Sequence, residues 1–177
     1  MPAHIVFLEL IIEPACSLIF EAEPEDANVM QRPPRSSKER LFSMATVGLA
    51  LLQGLSVLAV CLAVFLVSHS RQSEDAARAL TFVTLVVAFL VVILANRSWT
   101  RTIAGMLRVP NSALWWVIGG AVGLLALVLF LPTAQRLFQF APVSAGWLAL
   151  SLGAGVACMM WFELLKVIGW PPARRER

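Results

Sequence analysis

Long apolar runs, each near the length of a membrane crossing, alternate with short polar connections along this chain. Four of them, at about 42–67, 76–95, 113–131 and 146–168, approach or exceed the roughly 20 apolar residues that span a hydrocarbon core. A fifth run, at about 4–20, comes first and differs in kind. It reads His4-Ile-Val-Phe-Leu-Glu-Leu-Ile-Ile-Glu-Pro-Ala-Cys-Ser-Leu-Ile-Phe20, so that Glu9 and Glu13 sit inside it with Pro14 directly behind the second acid. The pattern predicts an all-α membrane protein, a bundle of about five transmembrane helices forming one transmembrane domain over 1–177. A cytoplasmic loop is expected at 21–41.

Composition agrees with the bilayer assignment: 59% of the 177 residues are hydrophobic and only 14% charged, with a mean hydropathy of +0.78. A soluble domain of this size carries far more charge. The basic residues also fall where orientation needs them. Arg32, Arg35, Lys38 and Arg40 follow the first segment, Arg97, Arg101 and Arg108 the third, and Arg174, Arg175 and Arg177 the fifth. By the positive-inside rule these connections and the tail are cytoplasmic and the amino terminus is outside. The expected location is the plasma membrane, crossed several times. The net charge of +3 then reports topology and contact with anionic lipid rather than nucleic acid.

The acids of the first segment are its main chemical clue. A spacing of four residues places Glu9 and Glu13 on one helical face. Ten large aliphatic and Phe residues in the segment contribute roughly −3 to −6 kcal/mol to insertion, while two ionised acids cost about +2.5 to +3.5 kcal/mol each. Alone, the segment is marginal. Neighbouring helices, a proton, a cation or water must shelter the acids, and an intramembrane acid is by default part of an ion or substrate path. A secretory signal peptide fits less well, because Met-Pro-Ala-His provides no positive start and the acids interrupt the apolar core.

Pro14 lacks an N–H, so the Leu10 carbonyl loses its helical donor, and Glu13 is biased away from the α region. The helix is therefore expected to be broken or kinked near Pro14. Two readings stay open: an unwound stretch that offers hard oxygen ligands to a cation, or an ordinary proline kink whose acids face a wet crevice or bond to neighbours.

The run Glu9-Leu-Ile-Ile-Glu13-Pro14-Ala15, followed by Phe20-Glu21, then Met30-Gln-Arg-Pro-Pro-Arg35 with Lys38-Glu39, resembles the sixth membrane helix and following loop of cation-transporting P-type ATPases, the calcium-pump-like branch. The likeness continues to Glu163-Leu-Leu-Lys166, which resembles the end of the family's tenth helix. It implies that the chain corresponds to the sixth to tenth helices, the carboxy-terminal membrane domain. In such pumps the sixth helix gives side-chain oxygens to the transported ion from an Asn or acid and from an Asp four residues later; Glu9 and Glu13 match those positions. Two departures keep the ion unassigned. Ile12 stands where calcium pumps have Thr, and the acid of the eighth helix has no counterpart at about 76–95, where Thr81 and Thr84 are the chief polar groups.

The Asp-Lys-Thr-Gly phosphorylation motif of the family does not occur in this sequence, nor does a Gly-x-x-x-x-Gly-Lys-Ser/Thr loop. By itself the polypeptide is not expected to turn over ATP, and no cofactor is expected in it beyond the transported cation. The reading is the membrane half of a P-type pump, partnered by the lipid bilayer and by a front half that carries the phosphorylation domain. A stand-alone multi-pass protein, either a small channel or a structural or regulatory subunit, and an inactive gene remnant are the alternatives.

The remaining features predict scaffold. Gly119, Gly123, Ala149, Gly153 and Gly155 would allow close helix approach, and Gln53, Ser56, Thr81 and Thr84 would bond across helices. Trp99, Trp115, Trp116, Trp147 and Trp170 mark segment ends. Glu163 and Lys166 are spaced to form a structural ion pair. Cys16, Cys61 and Cys158 show no metal spacing, and His4 and His69 fall near segment ends. Arg32-Pro33-Pro34-Arg35 should form a stiff extended element that docks a partner or binds lipid headgroups.

Overall fold

The structure, a computed structural model, describes residues 2–22, 44–97 and 111–168, with the side chains at 2, 13–16 and 45 outside the description, and among the described residues it holds seven helices. In chain order they are α1 (Pro2–Glu21), α2 (Met44–His69), α3 (Glu74–Asn96), α4 (Ser112–Phe130), the short α5 (Pro132–Phe138), α6 (Ala145–Ala157) and α7 (Met160–Val167). Five stretches are long and apolar enough to cross a membrane: Ala3–Glu21, Thr46–His69, Glu74–Asn96, Ser112–Phe130 and Ala145–Val167, the last shared by α6 and α7. Most of the expected loop at 21–41, with Arg32-Pro33-Pro34-Arg35, lies outside the described residues, as do Trp99 and Trp170.

The bundle is built around α3. About half of this helix is enclosed by the rest of the protein, against 17–28% for the other four spans. Its first turns explain how it gets so close to its neighbours, since Ala76, Ala77 and Ala79 are all fully or almost fully buried and have no side chain to hold other helices off. Ser73 caps its start by accepting from the Ala76 amide at 3.3 Å, and Glu74 and Asp75 complement the positive end of the helix dipole.

Besides a small cluster of Ile19, Ile93 and Leu114, two larger cores form on opposite sides of α3. One joins Phe7 and Ile11 of α1, Phe82, Val83 and Val86 of α3, Ala121 and Leu125 of α4, and Phe138 and Phe140 at the end of α5. The other joins Leu49, Val57 and Cys61 of α2 to Ala88 of α3 and to Cys158, Met159 and Phe162 near the α6–α7 junction. The outward faces are equally apolar: Leu51, Leu55, Leu58, Leu62 and Leu66 line the exposed side of α2. A helix that is apolar all round belongs in hydrocarbon.

Two local expectations are corrected. The first helix is not broken near Pro14: α1 is one continuous helix from Pro2 to Glu21. In a low-dielectric setting, losing one backbone bond to proline is cheaper than unwinding and exposing several, so the helix carries on. The last span, which contains no proline, is the one that divides. Cys158 and Met159 form a turn between α6 and α7, where the Cys158 thiol donates to the Gly155 carbonyl at 2.9 Å and Met159 is wholly buried.

The small residues also divide. A methyl group added at Gly155 would sit 2.9 Å from Val87 Cβ and 3.0 Å from the Thr84 carbonyl oxygen, so α6 and α3 touch there, backbone to side chain. Gly119, Gly123 and Gly153 have nothing within 4 Å of such a methyl. Only Gly155 therefore acts as a packing contact among these four glycines.

Candidate functional site

On α1, inward and outward residues alternate with helical period. Phe7, Ile11 and Ile19 are buried, whereas Ile5, Val6, Glu9 and Leu10 are exposed. Glu9 therefore sits on the face of α1 that leaves the bundle. Glu13 lies four residues further along the same helix, and its side chain falls outside the described residues.

Both ends of the inner face of α1 are fastened. Near its start, His4 is surrounded edge-on by Phe82, Phe138 and Phe140 at centroid distances of 5.4, 5.2 and 5.3 Å. Phe7 meets Phe82 and Phe138 at 5.2 and 5.6 Å, so rings from α1, α3 and α5 interlock. Edge-to-face packing is the favoured arrangement for such rings. Near its other end, the buried Asn111 donates from Nδ2 to the Ile19 carbonyl at 3.2 Å. The same side chain caps α4, accepting at Oδ1 from the Leu114 amide at 3.1 Å.

Of the four polar residues expected to bond across helices, Thr84 and Gln53 do, whereas Thr81 and Ser56 bond back to their own helices, and none of these described bonds goes to Glu9. Thr81 donates to the Ala77 carbonyl at 2.8 Å, and Ser56 to that of Leu52 at 2.8 Å. Thr84 donates to Leu80 and, across to α6, to the Ser151 carbonyl at 3.3 Å. Gln53 and Asn96 join α2 to α3 through a two-way amide pair at 3.0 and 3.4 Å. Beside α1 the surface is hydrocarbon: an apolar groove of about 220 Å³ separates Leu10, Ile11 and Leu18 from Trp116, Val117 and Gly120 of α4. Among the described residues no three His, Cys, Asp or Glu side chains gather into a metal site.

Glu163 and Lys166 do meet. The ammonium, with no exposed side-chain surface, lies 2.9 Å from the Glu163 carboxylate, donates to the Ala95 carbonyl at the end of α3, and sits 4.9 Å from the centre of the Phe162 ring. A cation at a helix carboxy terminus is favourable, and here it joins α7 to α3. Elsewhere, Arg78 gathers Glu74, Asp75 and Gln139 at the end of the bundle that holds His4. His69 stacks on Phe65 at 5.5 Å within α2.

Sequence reasoning missed Asn111. An Asn directly before a helical run is a readable cap, but its second bond, to a residue 92 positions away, leaves no mark in local sequence. It placed His4 near a segment end, and the phenyl rings that surround it there come from α3 and the end of α5.

The chain belongs to the family described as the cation transporting ATPase C-terminus, whose model matches residues 1–168. Among its relatives, the human calcium-transporting ATPase type 2C member 2 is 28% identical over 168 residues, covering 93% of this chain and 18% of that protein. A calcium-transporting ATPase of Listeria monocytogenes is 28% identical over 172 residues (93% and 19%), and one of Bacillus subtilis is 24% identical over 157 residues (86% and 17%). The chain spans less than a fifth of the length of these relatives.

Proposed function

We propose that this chain supplies the carboxy-terminal membrane half of a cation-pumping P-type ATPase, with Glu9 and Glu13 as ligands of the transported cation. The observation that carries the reading is the position of Glu9. An acid on the outward face of a helix long enough to span the bilayer cannot be left against hydrocarbon without a cost of several kcal/mol, so that face calls for a cover that brings water, a cation or polar helices. The remaining four-fifths of a relative's length is the source of that cover. In this reading the front half contributes the ATP-hydrolysing domains and the missing ligands, since a hard cation such as calcium takes six to eight oxygens and two carboxylates provide at most four. The amino terminus faces outward and the loop after α1 faces the cytoplasm, as the distribution of Lys and Arg requires. Calcium, which the relatives' names specify, is the first cation to assay.

The test is cation-stimulated ATP hydrolysis by the chain assembled with the segment that bears the Asp-Lys-Thr-Gly motif. Glu9→Gln and Glu13→Gln should each raise the cation concentration for half-maximal stimulation at least about tenfold, the loss expected for one charged ligand bond. Wild-type stimulation in both variants would remove the assignment. Failure of the chain to copurify with any such segment would favour a stand-alone membrane protein instead.

A further inference from the structure

Most helices of a bundle are held by side-chain packing spread along their length, but α1 carries specific fastenings at its two ends. His4 and Ile19 are 15 residues apart, about 22 Å along a helix axis. At the first, an imidazole is enclosed by phenyl rings from α3 and from the end of α5. At the second, the Asn111 amide reaches the Ile19 carbonyl, one of the last carbonyls of α1.

The choice of side chain at 111 is informative. Ser, Thr, Asp and Asn all cap helices well, and capping uses only an acceptor. Asn differs from Asp by carrying an NH₂ donor beside that acceptor, and here both are engaged, Oδ1 by α4 and Nδ2 by α1. Asn111 is 4% exposed, so neither bond is replaced by bulk solvent. A cap alone does not explain an amide at this position; a cap that also holds another helix does.

Two fixed points on one side of a rod set its rotation as well as its tilt. With His4 and Ile19 turned inward, Ile5, Val6, Glu9 and Leu10 are turned out. We infer that Asn111 and His4 are positioning residues that fix the rotation of α1, and so decide which way the Glu9 carboxylate faces. The bonds touch no ion. They act through the helix, and the inference rests on the reading of α1 as the cation-binding helix only for its functional meaning.

A nitroxide scan measures the rotation directly. The whole chain, with its three cysteines replaced by alanine, is reconstituted in phosphatidylcholine bilayers, labelled singly at positions 5 to 12, and oxygen accessibility is read at each. The unmodified pattern should peak at 5, 6, 9 and 10 and fall at 7 and 11. Asn111→Asp keeps the cap on α4 and removes the donor to Ile19; the contrast between positions 10 and 11 should then drop by about half or more, as α1 turns within the ~100° step that separates successive side chains. Asn111→Ser, a second cap too short to reach α1, should do the same. His4→Ala should also reduce the contrast, and His4→Phe, which keeps a ring in the box, should restore it. Full contrast in Asn111→Asp and Asn111→Ser, with loss only in the uncapped Asn111→Ala, would reduce Asn111 to a helix cap and overturn the inference; full contrast in His4→Ala would overturn it for His4. The scan needs neither ATP nor cation, so its outcome is independent of the hydrolysis assay.

Discussion

Glu9 and Glu163 are both acids in membrane-spanning stretches, and the fold treats them in opposite ways. Glu163 is mostly enclosed and lies 2.9 Å from an ammonium that has no exposed surface at all. Glu9 is turned out of the bundle on a helix whose contacts given above are with rings and aliphatic side chains and, through one backbone carbonyl, with Asn111. One carboxylate has a partner inside the chain, the other has none among the described residues. Charge paired within the bundle is neutralised where it stands, whereas an outward acid at bilayer depth calls for water, a cation or polar helices beside it.

The sharpest way to break this contrast is at the buried pair. Lys166→Met removes the ammonium that joins Glu163 to the Ala95 carbonyl, and breaking a buried pair from one side typically costs about 3 to 5 kcal/mol. The chain in detergent micelles should lose that much stability in a denaturant titration. Lys166→Met combined with Glu163→Gln should recover most of it, because no uncompensated charge then remains buried. A single variant as stable as the parent would mean that the pair is no more structural than Glu9.

A smaller loss is expected where the same half of the bundle closes without charge. At Gly155 even a methyl group would press on Val87 Cβ and on the Thr84 carbonyl, and overpacking of this kind costs about 1 to 3 kcal/mol. Gly155→Ala should destabilise the chain by that amount and weaken the Thr84 bond to the Ser151 carbonyl, which needs the same close approach. Gly153→Ala, with open space around it, should be neutral or slightly stabilising. Equal losses in the two variants would show that α3 and α6 do not meet at residue 155. Next in size is the Gln53–Asn96 pair: interhelical hydrogen bonds between membrane helices contribute about 0.6 to 1.7 kcal/mol, and Gln53→Leu should cost an amount in that range.

These sites also show what could be read from the residues alone. The five spans were legible because a bilayer requires long apolar runs and little else produces them. The Glu163–Lys166 pair was legible from helical spacing, but its third partner, Ala95, is 71 residues away from Lys166 and belongs to the packing of α7 on α3. Gly153 and Gly155 look alike in sequence; two residues along a helix point in nearly opposite directions, and only the fold decides which meets α3. The proline rule placed a break in the wrong span, since it describes local backbone preference, while the continuous α1 and the turn at Cys158–Met159 follow from satisfying backbone groups and burying Met159. For the candidate site, the acids and their spacing were visible at once. What we infer to set the direction of Glu9, the ring box at His4 and the amide at Asn111, depends on three other helices and was not.

The smallest effect on stability is expected at Glu9, and that is what makes it informative. Its side chain is not enclosed by this chain, so Glu9→Gln removes no packing and no described bond. The same denaturant titration that reads several kcal/mol at Lys166 should read no loss here, and insertion into lipid should improve, because a neutral side chain avoids the penalty of an acid at bilayer depth. If the carboxylate were scaffold, neutralising it would instead loosen the bundle. A variant that is as stable as its parent or more so, yet raises the cation requirement of the assembled ATPase, would separate ligand from scaffold at a single atom pair. A destabilised Glu9→Gln would show that the outward acid is held within the chain after all, and the distinction between the two carboxylates would fall.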